Sequence, residues 1–266
     1  MSDVQRPRYN VVVPTRYGMM IVNRNDWFEA DGNRYGVGHD LLASGEYVQA
    51  ELDVLAALIA QCPPHPVLID VGANIGVHTL FFASLAGPRG TVHSFEAQRV
   101  VFQMLMGNLA LNSIENVHGH GMALGAEPGT LALPPMDYNK PRNFGGVALG
   151  GEAAPAGTAV ETVAIMTLDS LELARVDFIK LDVEGMEEDV LRGARGTLDR
   201  CRPMMQVEWM MRDQGRLPLY LLEHLDYRVF QAGMNLLCVP VELAVRPPLQ
   251  GLPEMTAEAV RQAYKL

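Results

Sequence analysis

The sequence predicts an α/β protein with a doubly wound, mostly parallel sheet, and three observations carry that prediction. From Pro66 onward, short apolar runs alternate with stretches of helical periodicity: PVLIDVG, GVHTLFFASLAG, GTVHSFEA and RVVFQMLMGNLALN follow one another. Parallel neighbours need a crossover, so such alternation implies parallel strands with helices packed on the faces. The first run ends in a turn holding Asp70, Gly72 and Gly76, the place where ligands bind in sheets of this kind. Finally, 266 residues of which 48% are hydrophobic suffice to bury a core without help from disulfides.

Taken in order, residues 1–50 read as an N-terminal appendage. YNVVVPT and GMMIVNR flank Arg16, Tyr17 and Gly18 and predict a hairpin, whereas NDWFEADGNRYGVG is turn-rich and reads as loop. Apolar residues from Glu46 to Ile59 recur at helical spacing, and CPPHP stops that helix. The main domain is expected over 51–245. After its first two strand and helix pairs, NVHGHGMALG reads as a third strand. The long polar interval 134–160 is either functional or mobile. DFIKLDVEG, the helix EEDVLRGARGTLDR, RPMMQVEW, the helix PLYLLEHLD and the pair YRVFQ and NLLCVP complete the series. Residues 246–266 carry three prolines, then a short helix from Thr256 to Tyr264, and read as a docking tail.

Composition excludes several classes. Lys and Arg total 21 against 31 Asp and Glu, a net charge of −10, so nucleic acid is not the expected partner. Cys62, Cys201 and Cys238 are odd in number and far apart, which suggests neither a disulfide framework nor a zinc knuckle. The N-terminus lacks the apolar core of a signal peptide, and no run approaches the roughly 18 to 20 apolar residues of a membrane span. A cytoplasmic protein with no membrane partner is the expectation.

The first turn holds the most chemical information. A nicotinamide dinucleotide would want Gly-x-Gly-x-x-Gly there, to bring its pyrophosphate onto the helix N-terminus. This chain has a carboxylate, Asp70, where a phosphate would be repelled, with Gly72 free to turn sharply and Gly76 to let the helix start close to the strand. S-adenosylmethionine carries an ammonium and a sulfonium and no phosphate, so it suits the turn better. The next strand ends in Glu96, where a carboxylate takes the ribose hydroxyls of an adenosyl group.

Four stretches, IDVGANIGVHTLFFA, SFEAQ, ALGAEPGTL and IKLDVEGMEEDVLRGA, occur in that order and resemble the FkbM family of S-adenosylmethionine-dependent methyltransferases. RYGMMIVNRNDWF and SGEYVQAELDVL are similar to that family's approach to its first strand, so the resemblance runs from about Tyr17 to Glu208. It implies a class I methyltransferase fold of about seven strands with the last antiparallel, and methyl transfer to a hydroxyl. It further implies that Asp70, Gly72, Asn74 and Gly76 line the methionine end of the cofactor, that Glu96 holds the ribose, and that Ala123 of ALGAEPGTL lies beside the cofactor. GEYVQAE would cover the same pocket, with Glu46 or Glu51 near the cofactor's amino group.

Asp182 and Glu208 end what should be adjacent strands and are expected to converge beside the sulfonium. One can serve as general base, both can hold Mg²⁺, or both can stabilise the sulfonium and orient the acceptor. Glu184 is read as complementing the dipole of the following helix. In the 134–160 interval Tyr138, Lys140, Arg142 and Asn143 are placed to close over an acceptor. His118 and His120 read as structural, His78 as near the cofactor or packed, and His39 as within reach of the pocket mouth. Met204, Met205, Met104 and Met106 read as core, Met210 and Met211 as lining for an apolar substrate. The expected activity is O-methylation of a small molecule, a sugar or secondary metabolite, with Mg²⁺ assistance or a non-catalytic adenosyl-binding subunit as alternatives. A homo-oligomer is compatible with the N-terminal hairpin and the tail.

Overall fold

The computed structural model describes residues 9–146, 160–209, 213–244, 246 and 248–265. The expected hairpin forms from β1 (Asn10–Thr15) and β2 (Gly18–Asn23), but the stretch read as loop folds into a second one, β3 (Phe28–Ala30) and β4 (Asn33–Tyr35). Its turn is Asp31-Gly32, with φ of 52° and 78°, the doubly left-handed conformation that matches the twist of a tight hairpin. One helix was expected next; two form, α1 (Val37–Ser44) and α2 (Gln49–Ile59), parted by Gly45 in the left-handed region.

Then β5 (Val67–Val71), α3 (Val77–Ala86), β6 (Thr91–Phe95), α4 (Arg99–Leu111) and β7 (Val117–His120) follow the predicted series. The run expected to be a single third strand is divided, since Ala123–Leu124 forms β8 in a separate small sheet with β9 (Gly129–Leu133) and β10 (Glu161–Met166), in the order β8-β10-β9. The chain continues through β11 (Phe178–Leu181), α5 (Glu187–Gly193), α6 (Arg195–Cys201), β12 (Met204–Glu208), α7 (Arg216–His224), β13 (Tyr227–Ala232) and β14 (Asn235–Pro240). The tail adds β15 (Glu254–Met255) and α8 (Ala257–Tyr264), the helix capped by the Thr256 hydroxyl.

The main sheet has the order β7-β6-β5-β11-β12-β14-β13-β15. β5 pairs in parallel with β6 and β11, and β11 with β12; β14 runs antiparallel to both β12 and β13. This is the class I methyltransferase arrangement of seven strands with the last antiparallel, extended at one edge by β15 from the expected docking tail. Both sheet faces are covered, which explains the unbroken apolar reading of the central strands. Leu68, Val92 and Phe178 pack against Leu55 and Leu58 of α2 and Phe82 of α3. Ile69, Ile179 and Met205 pack against Val190, Leu198 and Leu221 on the other face. Met104, Met204 and Met205 are core as read, while Met106 is exposed. Among the described residues no helix is long and apolar enough to cross a membrane.

The succession of strands reverses direction between β5 and β11, and the cleft beyond their carboxyl ends is where such sheets bind ligands. The N-terminal hairpin β1–β2 is fastened to α4 beside that cleft: Asn108 accepts from the Ile21 amide at 2.5 Å, and Asn112 from the Met19 amide at 2.9 Å.

Candidate functional site

A cavity of about 450 Å³ opens at that switch point. Its floor begins where β5 ends. Gly72 has φ +75°, and a Cβ there would stand 1.7 Å from the Asp182 carbonyl oxygen, so only glycine lets this turn pass so close to β11. Asn74 is left-handed as well, with φ 52°, and its amide donates to Glu96 Oε2 at 2.9 Å. The second Glu96 oxygen accepts from the Gln98 amide at 2.8 Å. Both amides favour the ionised form of Glu96, yet burial outweighs them and pushes the carboxyl up to about 7. Gly72, Asn74, Glu96 and Ala123 all line the cavity.

Asp70 does not. It is fully buried beneath the turn, with Oδ2 accepting from the Thr79 hydroxyl at 2.6 Å and Oδ1 3.6 Å from Lys180 Nζ. It shares a sheet face with its register partner Lys180, whose longer side chain reaches the cavity while the short carboxylate stays beneath the turn. Gly76 is also outside the lining: a Cβ there would meet Leu105 at 2.5 Å, so this glycine serves the packing of α3 on α4.

Lys180, which the sequence reading passed over, carries Asp70's effect to the site. Its ammonium donates to the Gly72 carbonyl at 2.9 Å and lies 3.3 Å from Asp182 Oδ2. Burial would lower its pKa, but the charges of Asp182, Asp70 and Glu51 overcome that and hold it above the ordinary lysine range. A lysine within a short apolar central strand is the signal that was available, since such a residue is fully buried only when paired.

Asp182, Glu184 and Glu208 converge, each placing one carboxylate oxygen within 4.8 Å of the others. Burial pushes the Glu208 carboxyl up to about 9, and the neighbouring charges of Asp182, Glu184 and Glu187 add to the rise. Burial therefore favours the neutral form of Glu208, whose Oε2 is buried without a hydrogen-bond partner among the described residues. Glu184, read as complementing the helix dipole, lines the cavity, and it is Glu187 whose Oε1 accepts from the Val183 and Gly185 amides at the start of α5, at 3.1 Å each.

The opposite wall comes from the N-terminal segment and β14. Glu51 lines the cavity, bonded to His78 Nε2 at 3.1 Å and to Asn235 Nδ2 at 3.0 Å. Burial pushes its carboxyl upward, but the His78 bond and nearby positive charge outweigh that and hold it below the ordinary range. Glu46 instead points outward to Arg16 at 2.9 Å, half-exposed and outside the cavity. His39 is likewise outside, paired with Asp40, which does line the mouth.

The interval expected to close over an acceptor is described from 134 to 146 and again at Val160. Asn143, Gly145 and Gly146 reach the cavity; Tyr138 and Arg142 do not. Tyr138 packs on Phe144 with its carbonyl held by Asn23 and Asn25, and Lys140 pairs with Asp137 at the surface. The segment's backbone is instead secured to the N-terminal loop, where the Asn25 carbonyl accepts from the Arg142 amide at 3.0 Å and buried Asp26 accepts from the Phe144 amide at 3.0 Å and the Gly38 amide at 3.1 Å. Met210 and Met211 lie outside the described residues. His118 and His120 stack with His93 and do not line the cavity, although His120 also stacks on the lining Phe95 at 4.4 Å.

Residues 70–229 match the family model described as the methyltransferase FkbM domain. A protein of Beauveria bassiana (strain ARSEF 2860) named Methyltransferase 1 is 30% identical over 152 residues, covering 51% of this chain and 61% of that one. Hexuronic acid methyltransferase AglP of Haloferax volcanii is 26% identical over 162 residues, covering 57% of this chain and 59% of that one. The crystal structure of a methyltransferase FkbM from Methylobacillus flagellatus KT aligns with a TM-score of 0.48 at 19% identity, over 65% of this chain and 43% of that one. The chain thus spans about three fifths of the length of these two curated relatives.

Proposed function

Because the chain belongs to the FkbM methyltransferase family, we propose that it is an S-adenosylmethionine-dependent O-methyltransferase acting on a hydroxyl of a small molecule. One observation carries the reading: the buried Glu96 carboxylate, fixed by two backbone amides at the cavity wall, beside a Gly72 turn that only a backbone without Cβ can make. The donor set fits the cofactor. Lining carboxylates outnumber the single lysine, and the turn lacks the glycine spacing of a pyrophosphate cradle, so the cavity favours a cationic ligand without phosphate.

Glu96 would take the ribose hydroxyls, Ala123 and Leu124 the adenine side, and Glu51 and Asn74 the methionine end. When bound, the cofactor supplies a methyl carbon on a sulfonium, whose S–C bond electrons return to sulfur as an O–C bond forms. Asp182 stands in the cavity as the carboxylate that accepts the hydroxyl proton. Glu208, whose neutral form burial favours, stands beside it. Lys180 holds Asp182 and the Gly72 turn in one geometry, so alignment of the reactants supplies much of the rate.

A second reading, Mg²⁺ assistance, is favoured by the spacing of Asp182, Glu184 and Glu208. Activity that persists in excess EDTA excludes an exchangeable metal requirement. Calorimetry with S-adenosylmethionine, S-adenosylhomocysteine and a nicotinamide dinucleotide tests the main reading, followed by transfer of labelled methyl to fractionated metabolites. Binding of the dinucleotide alone would overturn it.

A further inference from the structure

The cavity's mouth differs in chemistry from its floor. Phe28 and Tyr35 stand opposite one another as a register pair across the β3–β4 hairpin, their ring centroids 5.7 Å apart. Both line the cavity and both remain partly open to solvent, at 39% and 44%. Val48 and Met234 also line the cavity and are exposed, Met234 with 69% of its surface open. Apolar side chains around a polar floor are the pattern of a ligand wall.

Beneath the rim the potential is negative. Asp182 and Glu184 meet beside the neutral Glu208, the three within 4.8 Å of one another, and Asp40 and Glu51 line the same cavity. Among the described lining residues, Lys180 is the one with a lysine or arginine charge. Its ammonium is already committed to the Gly72 carbonyl and to two carboxylates. An anionic acceptor would enter this floor against like charge, with no uncommitted lysine or arginine among the described lining residues to meet it.

Resting on the methyl-transfer reading, we propose that the acceptor is an alcohol carried on a flat apolar body and bearing no acidic group. Phe28 and Tyr35 hold its face, and Asp182 and Glu184 receive its polar end. A uronic acid, the substrate class named for the Haloferax relative, does not fit this floor. Specificity then lies in the hairpin and Glu184, apart from the groups that hold the cofactor.

The test uses the full chain saturated with S-adenosylhomocysteine, whose binding is measured first. Lacking the sulfonium, it leaves the floor's charge to the chain's own residues. Three probes of one shape are then titrated by fluorescence or NMR: 2-naphthalenemethanol, 2-naphthylmethylammonium and 2-naphthoate. The alcohol and the ammonium should each bind at least about tenfold more tightly than the carboxylate. The F28A/Y35A variant should weaken the alcohol by about fivefold or more while S-adenosylhomocysteine affinity is kept. Glu184→Gln should narrow the gap between ammonium and carboxylate. Naphthoate binding as tightly as the alcohol, no binding of any probe to the loaded chain, or an F28A/Y35A variant with unchanged probe affinity would each overturn the proposal. If wild-type chain fails to bind S-adenosylhomocysteine at all, the cofactor reading fails instead, and that is known before any probe is added.

Discussion

The Lys180 ammonium spans two adjacent strands to donate to the Gly72 carbonyl, at 2.9 Å, and so ties the first ligand-binding turn to the strand that carries Asp182. Asp70, fully buried, depends on the same ammonium for its charge partner, because its Oδ1 has no hydrogen bond of its own. Lys180→Met should therefore destabilise the fold by about 3–5 kcal/mol, the cost of leaving a buried carboxylate uncompensated. Asp70→Asn in that background should recover part of the loss. Urea unfolding of the single and double variants measures both, and a Lys180→Met variant as stable as wild type would refute the coupling.

Glu96→Ala should weaken S-adenosylmethionine by roughly 1.5–3 kcal/mol for each charge-assisted bond lost. The pH dependence gives a sharper signature. With its folded carboxyl raised to about 7, chiefly by burial, Glu96 becomes ionised only as pH rises through that value, so cofactor affinity should rise with it. The same shift acts on stability in the opposite direction. A carboxyl whose folded pKa is raised stabilises at low pH, and that contribution is lost as pH rises toward 7. Calorimetry between pH 5.5 and 8.5, with Glu96→Gln as the pH-flat comparison, reads the first effect.

Asp182→Asn should lower turnover by about 10²–10⁴-fold, the usual worth of a positioned general base, with much less effect on cofactor affinity. Glu208→Gln should cost far less near neutrality, since the carboxyl it replaces is pushed up to about 9 and already holds a proton. Single-turnover rates of the two variants decide the assignment. Equal losses would mean that the two acids act as one unit, and a fully active Asp182→Asn would remove the base altogether.

Asp26 joins the N-terminal loop to the segment before the cavity by accepting from Phe144 and Gly38. Burial raises its carboxyl to about 6 against an ordinary 3.8. The folded state thus keeps a proton that the unfolded chain releases, so wild-type stability should fall, relative to Asp26→Asn, as pH rises from about 4 to 6. Asp26→Ala should cost about 1–3 kcal/mol for each amide left unpaired. Denaturant midpoints across that window check the sign, and a difference that grows in wild type's favour with rising pH would contradict it.

The parallel order, the Gly72 turn and the convergence of Asp182 with Glu208 were legible because each follows from local pattern: alternation of elements, a glycine at a turn, an acid at a strand end. Asp70 was misplaced because the run LIDVG is apolar on both faces, leaving no signal that its short carboxylate stays beneath the turn. Glu46 and Glu51 could not be separated by sequence; the left-handed Val48 between them turns one outward and leaves the other at the start of α2. The β3–β4 hairpin was legible in principle, from Asp31-Gly32 flanked by aromatics, but was masked by the density of turn residues around it. Tyr138 and Arg142 had the chemistry of substrate ligands, and only tertiary contacts reveal that the segment is held to the N-terminal loop through their backbone carbonyl and amide.

The two sides of the cavity are written in different parts of the chain. The groups proposed to meet the adenosyl ligand lie in the turns after β5 and β6, in β8 and in the first turn of α2, whereas Phe28 and Tyr35 stand on a six-residue pair of strands with its own tight turn. Acceptor preference can therefore drift, or be transplanted, by rewriting one short hairpin without disturbing the sheet. Divergence of substrate within such a lineage would be expected to accumulate first at Phe28 and Tyr35, ahead of any change in the central strands.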